Sequence, residues 1–105
     1  MIVSDAAALL RRRRGELLNS LAQRAGLLEE IWPEDETERA YERLEEELVA
    51  RLSHTDQAEI MRIDAALKRI EEGTYGICHR CGENIAALRL LAVPTAALCL
   101  NCMSE

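Results

Sequence analysis

Four cysteines carry the clearest chemistry in this sequence. Cys78 and Cys81 are separated by two residues, seventeen residues follow, and Cys99 and Cys102 are again separated by two. Each pair can place two sulfurs on one side of a tight turn, and two such turns supply the tetrahedral sulfur set that zinc accepts. All four positions are then protein ligands, so no coordination site is left for water. The expected cofactor is one structural Zn2+, not a catalytic one. Redox-active dithiols or disulfides are the alternative use of this spacing, but four cysteines in a cytoplasmic chain of this size more often hold metal. A finger of about thirty residues has almost no core of its own, so its folding should be inseparable from metal binding.

The rest of the chain must position that finger with little to bury. It has 105 residues and 11.8 kDa, which allows one domain, or a small domain with an extended appendage. There is no Phe, aromatic residues make up 3%, and Ala and Leu dominate the apolar residues. Small and unbranched side chains suit paired helices better than stacked sheets. No nucleophile–base pair, phosphate-binding loop or open metal site is present, so no enzyme is expected.

Charge is unevenly placed. The net charge of −6 divides into +3 over residues 1–28, −9 over residues 29–59 and 0 over residues 60–105. A protein that coats nucleic-acid phosphates would show the opposite sign. The start, MIVSDAAALLRRRR, has its charges after a short apolar stretch, the reverse of a secretory signal, and no apolar run approaches the ~20 residues of a membrane span. A cytoplasmic protein, independent of membranes, is the expectation.

Helical periodicity then organises the chain. From Ser4, a plausible N-cap, to about Ile31, apolar residues recur at Ala7, Leu10, Leu17, Leu18, Leu21, Ala25, Leu28 and Ile31. Pro33 ends this run. A second helix is predicted from about Asp35 to about Glu72, with its stripe through Tyr41, Leu44, Leu48, Leu52, Ile60, Ile63, Leu67 and Ile70. Ser53-His54-Thr55-Asp56-Gln57 dilutes that stripe and marks a local weak point. Gly73 and Gly76 stand where a helix end and a tight turn need positive φ. Two such helices with a short connection lie antiparallel, which pairs Leu21 with Leu48, Leu18 with Leu52 and Leu10 with Ile60. An arm of about 28 residues spans ~42 Å. The predicted fold is therefore mainly α: a long antiparallel coiled-coil hairpin over residues 1–73, then a small four-cysteine zinc finger over residues 74–105, the whole a monomer. Within the finger, Gly82 to Ile85 reads as a turn and Ile85 to Leu91 as a short helix.

Four consecutive arginines, Arg11, Arg12, Arg13 and Arg14, fall beside Thr55, Asp56 and Glu59 in that register. Pairing with acids across the seam is the favoured reading, each exposed pair contributing about 0–1 kcal/mol. A basic contact patch for a partner is the other. Arg80 and Arg89 could meet phosphate, but the finger is neutral before metal is counted and lacks the basic face of a DNA reader. Direct sequence-specific DNA binding is not expected.

From Ala66 onward the residues form a pattern: Ala66-Leu67-x-Arg69-Ile70-x2-Gly73-Thr74-Tyr75-Gly76-x-Cys78-x2-Cys81-Gly82-x2-Ile85-x3-Arg89-Leu90-x-Ala92-x-Pro94-x-Ala96-x2-Cys99-x2-Cys102. It resembles the DksA/TraR family of bacterial transcription regulators, and the long hairpin before it looks like the fuller members, with shorter segments at either end. The resemblance implies direct binding to RNA polymerase. The hairpin enters the polymerase's secondary channel, and an acidic tip of the form Asp-x-x-Asp-x-Ala alters promoter-complex stability at initiation. Here Asp35, Glu38 and Ala40, within a tip at about 32–40, match that form, with Glu in place of the second Asp.

Asp35 followed by Glu38 is also a helix-capping arrangement. The resemblance favours the tip role, and a negative probe suits a channel that admits nucleotides and nucleic acid. Members of the family that respond with ppGpp resemble one another in basic residues just before the finger's Pro and just after its last Cys. Val93 and Met103 occupy those places here, while Arg62 keeps a basic residue on the second helix, so ppGpp synergy should be weak or absent. Two other functions stay open: a competitor that occupies the channel without tip activity, and a zinc or thiol redox-sensing adaptor.

Overall fold

The computed structural model describes residues 3–25 and 37–103. Among these described residues the helices are, in order, α1 Val3–Ala25, α2 Glu38–Ala50, α3 His54–Glu72, α4 Ala87–Ala92 and α5 Leu100–Met103. Among the described residues there is no strand; one antiparallel bridge joins Ile77 and Asn84. The mainly helical class agrees with the sequence. The predicted end of the first helix at Ile31, Pro33, and the tip residue Asp35 lie outside the described residues.

The long second helix is not continuous. It stops at Ala50 and restarts at His54, so the dilution at residues 53–57 is a true break. No Pro or Gly causes it; local polar groups do. Ser53 acts as an N-cap, its Oγ accepting from the Asp56 N–H at 3.2 Å, an arrangement that contributes about 1 kcal/mol. On the other side the last turn of α2 tightens: the Arg51 N–H donates to the Leu48 carbonyl and the Leu52 N–H to the Val49 carbonyl, both at 3.1 Å. The Gln57 amide reaches back to the Val49 and Ala50 carbonyls at 3.0 and 3.3 Å, satisfying acceptors that the end of α2 leaves open.

Two caps depart from expectation at the helix starts. Ser4 lies inside α1, which begins at Val3. α2 is capped by Thr37, whose Oγ1 accepts from the Ala40 N–H at 3.2 Å. With Thr37 at the N-cap, Glu38 is the first helical residue of α2.

The chain divides into two compact units, Arg13–Ile60, and Met1–Arg12 with Met61–Glu105. In the first, Leu17 and Leu18 of α1, Leu44 and Leu48 of α2, Leu52 in the break and Ile60 of α3 are buried. Each buried Leu or Ile contributes roughly 2 kcal/mol by removal from water. Tyr41, expected in the same stripe, is exposed. Two neighbouring arginines of α1 pair within this unit: Arg13 Nε and Nη2 hold both carboxylate oxygens of Glu59 on α3 at 2.8 and 3.3 Å, and Arg14 Nη1 holds Glu45 on α2 at 3.3 Å.

In the second unit Ala6, Ala7 and Leu10 of α1 and Ile63 and Ala66 of α3 are buried, two of the alanines completely. That is where the alanine-rich composition is used. α3 ends in a Schellman motif: Gly73 stands at φ +76°, its N–H donates to the Ile70 carbonyl at 3.3 Å, and the Thr74 N–H donates to the Arg69 carbonyl at 2.9 Å. A second small core follows in the finger, made of Cys78, Ile85, Leu90 and Ala96, with Tyr75, Leu98, Cys99 and Cys102 packed around it. The short finger helix begins at Ala87, two residues later than expected, because Ile85 is held in the extended segment by its N–H bond to the Gly76 carbonyl at 2.8 Å.

Candidate metal centre

Two turns carry the cysteines. Cys78 leaves the Ile77–Asn84 bridge, its N–H bonded to the Glu83 carbonyl at 2.8 Å, and the Gly82 N–H closes the loop on the Cys78 carbonyl at 3.0 Å. Gly82 takes φ +77°, a conformation that strongly favours glycine. Cys99 and Cys102 stand at the start and within α5, where the Met103 N–H donates to the Cys99 carbonyl at 2.9 Å. A backbone bond from the His79 N–H to the Ala97 carbonyl, 2.8 Å, ties the first turn to the segment entering the second.

The four sulfurs converge. All lie within 4.8 Å of one another, and Cys81 Sγ is 3.8 Å from Cys99 Sγ. A disulfide needs about 2.05 Å between sulfurs. A tetrahedron of sulfurs at ~2.3 Å from zinc has edges of about 3.8 Å, so the observed spacing fits the ion and not the bridge. Burial is graded: Cys78 is buried, Cys99 and Cys102 are half-buried, and Cys81 is exposed.

The electrostatics of the clustered thiols favour a shared cation. Backbone N–H groups of Cys81, Cys99 and Arg80 aim at the Cys78 sulfur and hold its pKa down to about 5. The Cys78 sulfur in turn, with burial and the other two thiols, pushes Cys102 up to about 12. Four thiolates cannot share this volume unaided, and a divalent ion removes the conflict. The donor set and spacing fit one structural zinc.

Side chains with no assigned role in the sequence pattern hold the finger together, Arg80 and Arg89 among them. Arg89 Nε donates to the Leu98 carbonyl at 2.9 Å and its Nη2 lies 2.9 Å from Met103 Sδ. Arg80 Nη1 donates to the Cys102 carbonyl at 3.3 Å. Arg69 reaches from α3 to the Thr95 carbonyl at 3.3 Å, and the Tyr75 hydroxyl donates to the Pro94 carbonyl at 2.8 Å. Their acceptors are backbone carbonyls, which carry no side-chain signal in the sequence; the glycines flanking Tyr75 are the nearest hint.

Other anticipated residues are distributed. Arg62 lines an open groove of about 400 Å³ with Arg69, Arg89, Val93 and Met103, so the three positions compared for ppGpp do come together, two of them apolar. Glu38 is exposed at the start of α2, and Ala40 is half-buried. Of the arginine run, Arg13 and Arg14 make the cross-helix pairs already described, while Arg11 and Arg12 are exposed.

Family models match both parts of the chain. Residues 73–104 match the prokaryotic DksA/TraR C4-type zinc finger, and residues 7–70 match the N-terminal domain of DnaK suppressor-like proteins. The chain belongs to the DksA/TraR family. Among its DksA-like relatives, an uncharacterised protein of Aquifex aeolicus is 50% identical over 60 residues, 57% of this chain and 41% of that one. The RNA polymerase-binding transcription factor DksA of Escherichia coli is 37% identical over 68 residues, 65% of this chain and 45% of that protein. The matched stretch thus spans less than half of these curated relatives. Of solved DksA structures, the DnaK suppressor protein of Agrobacterium tumefaciens superposes with TM-score 0.71 at 38% identity, covering 99% of this chain and 93% of that one. The transcription factor DksA2 of Pseudomonas aeruginosa gives 0.67 at 34%, covering 97% and 80%.

Proposed function

We propose that this protein is a bacterial transcription regulator that binds RNA polymerase directly through its secondary channel and modulates promoter-complex stability at initiation, performing no chemistry itself. The observation that carries the reading is the joint match of helical segment and finger to one family, with the four-sulfur cage intact. Residues 1–73 form the arm and residues 74–105 the knob that anchors it. The working end is the acidic group Asp35, Glu38 and Ala40. Thr37 caps α2, and Glu38 is exposed at its start. Negative charge there is attracted to a channel that admits nucleotides. Arg11, Arg12, Arg13, Arg14 and Arg62 are candidate contacts to the polymerase rim. Val93 and Met103 make the groove beside Arg62 less cationic, so synergy with ppGpp is weak or absent.

Transcription in vitro from a ribosomal-RNA-type promoter tests the reading. Wild type shortens promoter-complex lifetime and Asp35→Asn does not; equal lifetimes with both would overturn the tip role. Glu38 in place of the second Asp of the tip pattern favours one second reading, a competitor that occupies the channel without tip activity. Displacement of a channel-binding cleavage factor without any lifetime effect would select it.

A further inference from the structure

Most of the large apolar residues exposed among the described residues belong to the finger: Ile77, Leu88, Leu91, Val93, Leu100 and Met103. Leu88 and Leu91, 80% and 54% exposed, both lie on α4, whose sequence is Ala-Leu-Arg-Leu-Leu-Ala. Leu90 of this helix goes into the finger core. Arg89, its one charged residue, is held by the Leu98 carbonyl and lies beside Met103 Sδ. The positions that remain, Ala87, Leu88, Leu91 and Ala92, are all exposed and form one helix face without a polar side chain.

That face reads the same in both directions. Ala87 and Ala92 are its ends and Leu88 and Leu91 its middle, so a two-fold axis crossing the helix between residues 89 and 90 sets Leu88 against Leu91 of a second copy, and Ala87 against Ala92 of that copy. An isologous interface needs this self-complementarity. The two ridges of the face, Ala87–Leu91 and Leu88–Ala92, each carry one large and one small residue, an alternation that lets the i±4 ridges of two helices interdigitate. Charge selects the same occupant. Side-chain charge over residues 60–105 sums to zero, against −9 over residues 29–59, so the finger is where two copies of an acidic chain meet with least repulsion. The helical stripes that predict a monomer do not include α4.

We propose that the outer face of α4 is a self-association surface, occupied by the same face of a second copy of this chain. A helix of six residues is about 9 Å long and offers well under the ~800 Å² per partner of a stable interface. The dimer is therefore weak and concentration-dependent, with a dissociation constant on the order of 0.1–1 mM. Because α4 lies between the two cysteine pairs, the face exists only while the finger is folded. This contact stands independently of the polymerase reading.

Sedimentation equilibrium of the zinc-loaded full chain, from about 0.02 to about 1 mM, tests the proposal. The weight-average mass of wild type should rise from the monomer value toward the dimer. Raising NaCl from about 0.05 to about 0.5 M should leave that rise intact or strengthen it, since the faces are uncharged and the chains repel each other. Leu88→Asp combined with Leu91→Asp should lower the association constant about 10-fold or more, with one zinc retained per chain. Met61→Asp, at an exposed apolar position on α3, should associate as wild type does. Methyl NMR of wild type locates the contact without any substitution: concentration-dependent shifts should centre on Ala87, Leu88, Leu91 and Ala92. A wild type that stays monomeric at about 1 mM, an association that salt abolishes or that Met61→Asp weakens equally, shifts centred elsewhere, or a double-Asp variant that associates like wild type would each overturn the surface.

Discussion

Cys81 Sγ lies 3.8 Å from Cys99 Sγ, joining the first cysteine turn to the second at the spacing of a zinc–sulfur tetrahedron. The two cysteines come from separate turns, tied by the His79 N–H to the Ala97 carbonyl and by Arg80 to the Cys102 carbonyl, and a bound zinc would add a third link through the sulfurs.

Removal of that ion should unfold the finger selectively. Chelation, or Cys81→Ser, is expected to collapse the dispersed NMR signals of residues 74–103, while the helical signals of residues 13–60 persist. Cys81 is exposed, so its replacement creates no core cavity, and loss of finger signals reports the metal. Retention of finger structure and of zinc by Cys81→Ser would contradict a four-sulfur structural site.

Arg89 and Tyr75 give a graded pair of stability effects. Tyr75→Phe loses one hydrogen bond to the Pro94 carbonyl and should cost about 1 kcal/mol. Arg89→Ala loses a charged donor to the Leu98 carbonyl and its contact with Met103, and should cost about 2 kcal/mol. Thermal denaturation of the zinc-loaded protein measures both, with Arg89→Ala the lower melting.

The two glycines around Tyr75 separate backbone strain from space. Gly73→Ala meets no atom within 4 Å, so its penalty is the φ of +76° alone, about 1 kcal/mol. Gly76→Ala carries φ +84° and also places its Cβ 3.4 Å from Leu90 Cδ1, so it should destabilise more. Denaturant midpoints of the two variants check the order.

Much of this was legible in the sequence for identifiable reasons. Zinc imposes its own spacing, so the four cysteines could be read without any fold. Gly73 ended a helix because positive φ has few other occupants, and Arg13 met Glu59 because helical register is arithmetic. The break at residues 51–53 was visible only as a weak stripe, since no Pro or Gly enforces it. Ser53 with Asp56 three residues on was its readable signature. Thr37 caps α2, and since several side-chain oxygens stand near that point in the sequence, which one caps depends on where the helix begins. Arg80 and Arg89 resembled phosphate contacts because their backbone acceptors leave no mark on the side-chain pattern.

The Arg13–Glu59 pair should be salt-sensitive and small. Both side chains keep solvent contact, so a double-mutant cycle with Arg13→Ala and Glu59→Ala should give a coupling of about 0.5 kcal/mol at low ionic strength, shrinking toward zero near 1 M salt. Chemical denaturation in urea at the two salt concentrations measures it.

Direct binding to polymerase is the most exposed point of the functional reading. Purified core RNA polymerase, mixed with the zinc-loaded chain and resolved by size-exclusion chromatography, should carry the protein with it, and a channel-binding cleavage factor should displace it. Co-elution that the cleavage factor cannot reverse would contradict binding in the secondary channel, and absence of co-elution would contradict the function as a whole.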